Sequence, residues 1–259
     1  MAQVADNTRL FRGQGQVFLA TRSNTGKPEG LEFVGNVSEL MLNPQTEKIE
    51  HTESQTGNNS IDKVIERNLN VEISMTIDSI ASKNLARMVF GTVTEEIAAT
   101  ITGEEIVGYI GKGQILDRIN LTSFTSLTDV GATTTYVEGT DYTIDLASGY
   151  LQFLDTATFS DGDTLIANYE AGASEIVSAF SKPNVEYWLR FNGLNTAENN
   201  NPVIIDVFKT RFAPADDIPM INDEDFAEYK QSGNALFDAL QPVDGKFGRY
   251  FSVRQLTNV

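Results

Sequence analysis

His51 is the only histidine in the chain, so side-chain acid–base chemistry near neutral pH would have to start there. It sits between Glu50 and Glu53 in Lys48-Ile-Glu-His-Thr-Glu-Ser54, a stretch that reads as a strand. No serine stands in a nucleophile-elbow context. The chain has no cysteine, which removes thiolate nucleophiles, thiolate metal ligands and disulfides together. An exposed or interface strand residue is the simpler reading of His51. Zinc needs clustered His or Cys, and neither is available. Asp161-Gly-Asp163 and the acids Asp216, Asp217, Asp223, Glu224 and Asp225 invite calcium, but the spacing is not that of an EF-hand. A hairpin turn and a helix start account for them. Gly13-Gln-Gly15 and Gly111-Lys-Gly113 lack the further residues of a phosphate cradle and read as turns. Acids are so frequent that choosing a glycosidase pair among them carries no information. Trp188 with Tyr187 and Phe191 could offer a sugar platform, but in an alternating strand half of that set faces a core. No catalysis, metal or cofactor is expected.

Composition narrows the partners. With 259 residues and 41% hydrophobic content, the chain makes one large β domain or two modest ones. Nineteen basic against 36 acidic residues give −17, which excludes a grip on nucleic acid through phosphate contacts. The acid serves solubility, or it faces a polyanion that must pass without sticking. No run is apolar enough to span a membrane, and Met-Ala-Gln-Val-Ala-Asp lacks the regions of a signal peptide. A protein used or assembled in the cytoplasm is expected.

The elements that position these residues are mostly strands. Ile65, Arg67, Leu69, Val71, Ile73, Met75 and Ile77 alternate with Glu66, Asn68, Asn70, Glu72, Ser74, Thr76 and Asp78. Successive strand side chains point to opposite faces, so residues 61–78 are expected to form a long strand with an oily face and a wet, acidic one. A short helix follows, with Ser82 or Ser79 as N-cap, Leu85, Met88 and Val89 on its apolar face, and Gly91 closing it in the left-handed conformation. Val17–Arg22 reads as a strand. Leu31–Leu42 reads as one extended run bent or bulged at Gly35-Asn36. Residues 48–54 and 61–78 suggest a long hairpin with a polar tip at Gln55–Ser60. Residues 1–12 look like an arm anchored by Leu10 and Phe11. Asp223–Ser232 can be a second short helix, with acids at its positive end and Gly233 beyond it. Asn234–Leu240 and Tyr250–Arg254 look like closing strands. No Lys or Arg occurs between Ile119 and Ser181, and strand-and-turn signals repeat there. This marks 103–175 as an inserted acidic β module within a core of 1–102 and 176–259.

Gly35-Asn-Val-Ser-Glu-Leu-Met-Leu, Glu47-Lys-Ile-Glu-His-Thr-Glu-Ser, Asn70-Val-Glu-Ile-Ser-Met-Thr-Ile-Asp78 and Asn84-Leu-Ala-Arg-Met-Val-Phe-Gly91 follow one another in an order that resembles the major tail tube protein of long-tailed bacteriophages. Leu189-Arg-Phe-Asn-Gly-Leu-Asn and Ile218-Pro-Met-Ile-Asn-Asp-Glu-Asp-Phe-Ala are similar to the second half of that family. The resemblance covers roughly 30–95 and 185–240; the module at 103–175 departs from the minimal pattern.

The resemblance implies a mainly β fold, a sandwich or barrel-like tail-tube fold with one or two short helices. It also implies a homo-oligomer: hexameric rings stacked into a tube that conducts double-stranded DNA out of the capsid. Other tail proteins, such as the tape measure and terminator, would be partners in the virion, and no membrane is involved. On that reading Ile65, Leu69, Val71, Ile73, Met75 and Ile77 face the helix and core. Glu66, Asn68, Asn70, Glu72, Ser74 and Thr76 line the lumen, where carboxylates repel phosphate. Glu53, Gln55, Asn58, Asn59 and Phe11 are the expected contacts between rings, and the 103–175 module sits on the outside. Two alternatives stay open: a carbohydrate-binding or adhesin-like module using Trp188 or residues 119–181, and a hydrolase using acids.

Overall fold

A computed structural model describes residues 10–183, 185–223, 225–242 and 248–255. Period-two alternation dominates the chain, and the fold follows it: mainly β and sandwich-like, with antiparallel sheets and no closed barrel. Among the described residues there are seventeen strands, numbered β1 to β17 along the chain, and one helix, α1. The chain divides into two compact units. One holds everything up to Thr92 and from Ala179 onward; the other is Val93–Ser178. The second unit is longer at both ends than the expected 103–175. The reason is that β5 (Thr92–Glu96) and β13 (Ser174–Ser178) pair with each other and belong mostly to it.

In the first unit, eight strands form one sheet. Its order is β2 (Pro28–Phe33), β1 (Gly13–Arg22), β14 (Tyr187–Asn195), β15 (Asn201–Phe212), β16 (Tyr229–Ala235), β4 (Ile61–Ile77) and β3 (Val37–Thr52). β17 (Phe251–Gln255) pairs with the first half of β15. β2 and β3 stand at opposite ends of this order, yet only Val34, Gly35 and Asn36 separate them. Three residues cannot cross a flat sheet of that width, so the sheet curls until its ends approach. The core inside the curl includes Val17, Leu19, Val71, Ile73, Met75, Ile77, Leu189, Val207 and Phe212. The expected single run Leu31–Leu42 is thus two edge strands. Gly35, at φ +95°, makes the crossing, and a Cβ there would come within 2.8 Å of Ser79 Cβ.

α1 (Ser82–Met88) packs Met88 into this core. Its N-cap is Ala81, without a side-chain cap, and its buried residues are Asn84, Ala86 and Met88. Asn84 is held inward because its amide donates to Val34 O at 2.5 Å. The left-handed residue is Phe90 (φ 51°), one position before the expected Gly91. The Gly91 amide donates to Ala86 O at 2.6 Å, closing the helix in a Schellman-type turn.

The expected helix at Asp223–Ser232 does not form. Tyr229, Gln231, Gly233 and Ala235 alternate as buried residues of β16, paired with Ile77, Met75, Ile73 and Val71 of β4. Gly233 is a strand glycine whose Cβ would meet Arg211 O at 2.7 Å. The closing strand expected at 234–240 ends at Ala235; the one at Tyr250–Arg254 is β17. Of the expected N-terminal arm, residues 1–9 lie outside the described residues.

The second unit has its own core. A four-stranded sheet, β6 (Ala99–Val107), β12 (Thr164–Ala171), β8 (Leu121–Asp129) and β9 (Thr135–Tyr136), accompanies a three-stranded one, β10 (Tyr142–Asp145), β11 (Tyr150–Phe153) and β7 (Gly113–Ile115). Leu127, Leu151, Phe153, Leu165 and Tyr169 are fully buried there. The Tyr169 hydroxyl donates to the Glu104 carboxylate, and burial together with that carboxylate pushes the phenol pKa well up.

Asp141 is buried and accepts from Val137 N at 2.7 Å, Thr158 N at 2.9 Å and Thr158 Oγ1 at 3.0 Å. Burial alone would raise its pKa, but these hydrogen bonds hold it below the ordinary aspartate value. The unfolded chain therefore takes up the proton more readily. The stability Asp141 contributes is complete above the ordinary aspartate pKa and drains away as pH falls through the depressed one. Asp141→Ala is expected to cost the second unit about 3 kcal/mol at neutral pH, since it strands three donors. The same substitution should flatten the unit's acid sensitivity; urea melts at pH 7 and pH 3 check both effects.

Candidate assembly surfaces

β4 and β3 run far past the rest of their sheet. β16 pairs with β4 only from Val71 to Ile77, whereas the β3–β4 ladder continues to Thr52 and Ile61. Residues 46–52 and 61–69 are exposed throughout. They form a two-stranded arm, and Ile49, Ile61, Val64, Ile65 and Leu69 stand on it in solvent. The Tyr250 hydroxyl donates to Leu69 O at 3.2 Å at the arm's root. A lone hairpin is marginal in water, and apolar side chains along one call for a covering surface.

The strand is not two-faced along its whole length. Gln45 pairs with Asn70 and Glu47 with Arg67, so β4 spends one residue more than β3 between those pairs. The extra residue makes a bulge at Asn68, whose φ is +53°, a conformation asparagine tolerates. Beyond the bulge the faces exchange. Ile65 and Arg67 come onto the face that carries Asn70, Glu72 and Ser74, and Glu66 turns to the other. The expected lumen set is therefore split. Asn70, Glu72, Ser74 and Thr76 share one face, Glu66 lies opposite and Asn68 is in the bulge. Thr76 is only 5% exposed, set between its ladder partners Lys230 and Glu39, whose long side chains share its face. Ile65 and Leu69, expected in the core, are 52% and 62% exposed.

The outer face of the sheet is ordered in rows. Arg211, Asn234, Glu72 and Asn43 pair in turn across four strands, and Ser232, Ser74 and Met41 form the next row. These residues line a shallow groove of about 700 Å³. Gln45 Nε2 donates to Glu72 Oε2 at 2.9 Å. Arg211, Ser232 and Asn234 were missed in the sequence. The period-two run 229–235 is the signal that places the last two on this face.

At the arm's tip, Glu53 organises the turn. The Thr56 hydroxyl and amide and the Gln55 amide donate to its carboxylate, holding its pKa below the usual glutamate range. Its charge is thus engaged locally. Gln55, Asn58 and Asn59 are exposed, with Asn59 at φ 48°. His51 Nδ1 lies 2.5 Å from Asp62 Oδ1, both exposed on the arm. Phe11 is exposed against Gly13, and its segment is fastened by Asn195, which accepts from Arg12 N and donates to Leu10 O. Strand direction puts this segment at the arm's end of the sheet.

Trp188 is no sugar platform. It is buried against Ala20 and Phe208, and its indole donates to Asp206 at 3.2 Å. Fourteen acidic and two basic residues fall in Val93–Ser178, so most of the net charge belongs to the second unit, in line with the acidic module expected there. The outer face around Glu72 is polar and mixed, with Lys230 and Arg211 beside Glu72 and Glu39.

A family model described as "Protein of unknown function UCP028589" matches residues 10–254. No curated protein matches the chain.

Proposed function

The chain belongs to that family, and we propose that it is a structural subunit that self-associates into stacked six-fold rings, a tail-tube conduit for double-stranded DNA in a virion. The observation that carries this reading is the arm, a solvent-exposed ladder with aliphatic side chains that is too thin to bury them itself. Among the described residues, the outer edges of β2 and β3 also pair with nothing. Unpaired edges are aggregation hazards in a monomer and joints in an assembly. The acidic second unit fits the outer wall, where like charge keeps neighbouring tubes apart.

The bore surface in this proposal is the outer face of β4 and β16, with Asn70, Glu72, Ser74, Ser232 and Asn234. Small polar side chains offer phosphate little purchase, and Glu72 offsets Arg211. Glu72→Lys replaces a carboxylate with a cation on a face that already carries Arg211 and Lys230 in every subunit. Tubes of this variant are expected to retain double-stranded DNA in a sedimentation assay, with salt releasing it. Wild-type tubes should retain none, and neither should Glu66→Lys, because Glu66 is on the other face. Equal retention by the two variants removes this face from the bore.

A further inference from the structure

We infer that the arm of one copy docks into an acidic cleft at the far end of the first unit of a second copy. Its Ile49–Ile65 pair would rest on Phe226, with the flanking cations against the cleft carboxylates. This rests on the self-association proposed above and supplies its receiving surface. The cleft, about 580 Å³, lies between the end of β4 and the segment that crosses from β15 to β16. Asp78, Asp217, Pro219, Asp225, Phe226 and Glu228 line it. Among its described lining residues Lys230 is the single cation. Phe226 stands 92% exposed, with Met220 and Ile221 nearby in the same segment at 86% and 93%. Asp78 Oδ2 accepts from Asn36, but its Oδ1 is shut off from solvent without a hydrogen-bond partner. The cleft thus presents bare apolar groups beside the carboxylates of Asp217, Asp225 and Glu228.

The arm presents the complement. Ile49 and Ile65 are direct ladder partners, so their side chains share one face. On that face the next pair toward the tip is His51–Lys63, and the next toward the root is Glu47–Arg67. An aliphatic pair with Lys63 toward the tip, and toward the root Arg67 ion-paired to Glu47 (Nε to Oε2, 3.7 Å), leaves this face net positive and matches an aromatic ring between carboxylates. The arm cannot reach the cleft of its own chain. Ile65 and Asp78 stand toward opposite ends of β4, thirteen residues apart along one extended strand with a single bulge at Asn68, a span of up to roughly 40 Å. Only a second copy brings them together. The contact joins two different surfaces, so it propagates from copy to copy and closes in a ring or extends as an open array.

The absence of cysteine makes a clean test. A chain carrying both Ile65→Cys and Phe226→Cys is expected to give a ladder of covalent oligomers on mild oxidation. An equal mixture of the two single variants should stop at the dimer, and either single variant alone should stay at the monomer. Asp217→Lys with Asp225→Lys should abolish the ladder, and adding Lys63→Glu with Arg67→Glu should restore it. Dimers from Phe226→Cys alone would mean that the cleft faces its own copy, and the inference falls. If wild type assembles while the double variant gives no ladder, the cleft is wrong and self-association stands. If wild type stays monomeric at high concentration, the self-association reading fails and this inference with it.

Discussion

Replacing residues 46–69 by Asn-Gly is expected to leave the first unit folded and to abolish self-association. Gln45 and Asn70 are ladder partners, so a two-residue turn joins them in the geometry that Asn-Gly favours. The core side chains of β4, Val71, Ile73, Met75 and Ile77, all lie beyond the cut. Nothing that holds the sheet is removed except the Tyr250–Leu69 bond, worth about 1 kcal/mol. What the arm loses is contact. Ile49, Ile61, Val64, Ile65 and Leu69 are each about half exposed, and covering the remainder is worth on the order of 1 kcal/mol per side chain. Together that is about 5 kcal/mol gross per joint, repeated at every subunit. Sedimentation velocity should show a single monomer species at concentrations where wild type forms large particles. The thermal transition of the first unit should move by only a few degrees. Rings or tubes from the shortened chain would assign assembly to another surface.

Asp206→Ala should strongly destabilise the first unit. Asp206 is 1% exposed and holds Arg190 at 3.2 Å, Arg254 at 3.5 Å and the Trp188 indole at 3.2 Å. It thereby ties β14, β15 and β17 together on the outer face of the sheet. Removing the carboxylate leaves the buried Trp188 N–H without its acceptor and the partly buried Arg190 guanidinium with Asn192 alone. The cost of breaking such a pair is about 3–5 kcal/mol, tempered here because Arg190 and Arg254 keep some contact with water. We expect a loss near 3 kcal/mol in urea unfolding of the first unit, with the second unit unchanged. Asp206→Asn retains an acceptor for Trp188 and should recover part of that loss. A shift below 1 kcal/mol in the alanine variant would mean that the cluster orders the sheet surface without stabilising it.

The β character of the chain was legible because alternation is local. Val71 to Ile77 alternate, and the strand follows; Val17 to Arg22 and residues 251–254 behave alike. The acidic module stood out because basic residues vanish from a long stretch, and composition needs no coordinates. The helix was legible in place but not in its end groups, since Asn84 is drawn inward by Val34, a residue fifty positions away in sequence.

Other features depend on partners that one strand cannot announce. The bulge at Asn68 is visible only when β4 is laid against β3, because it is a mismatch of count between two strands. It inverts every side chain beyond it, and so divides a lumen set that sequence periodicity joined. The stretch Asp223–Ser232 reads as helix by its acids, yet from Tyr229 onward it is strand, because it pairs there with the edge of β4. The sequence alone therefore determined a cysteine-free, mainly β chain with an acidic module and a long hairpin. The tertiary structure alone decided which half of that hairpin is buried and which stands in solvent, and it set Glu66 and Glu72 on opposite faces. The reason is that burial and facing belong to pairs of strands, and ladder register is settled only when distant segments meet.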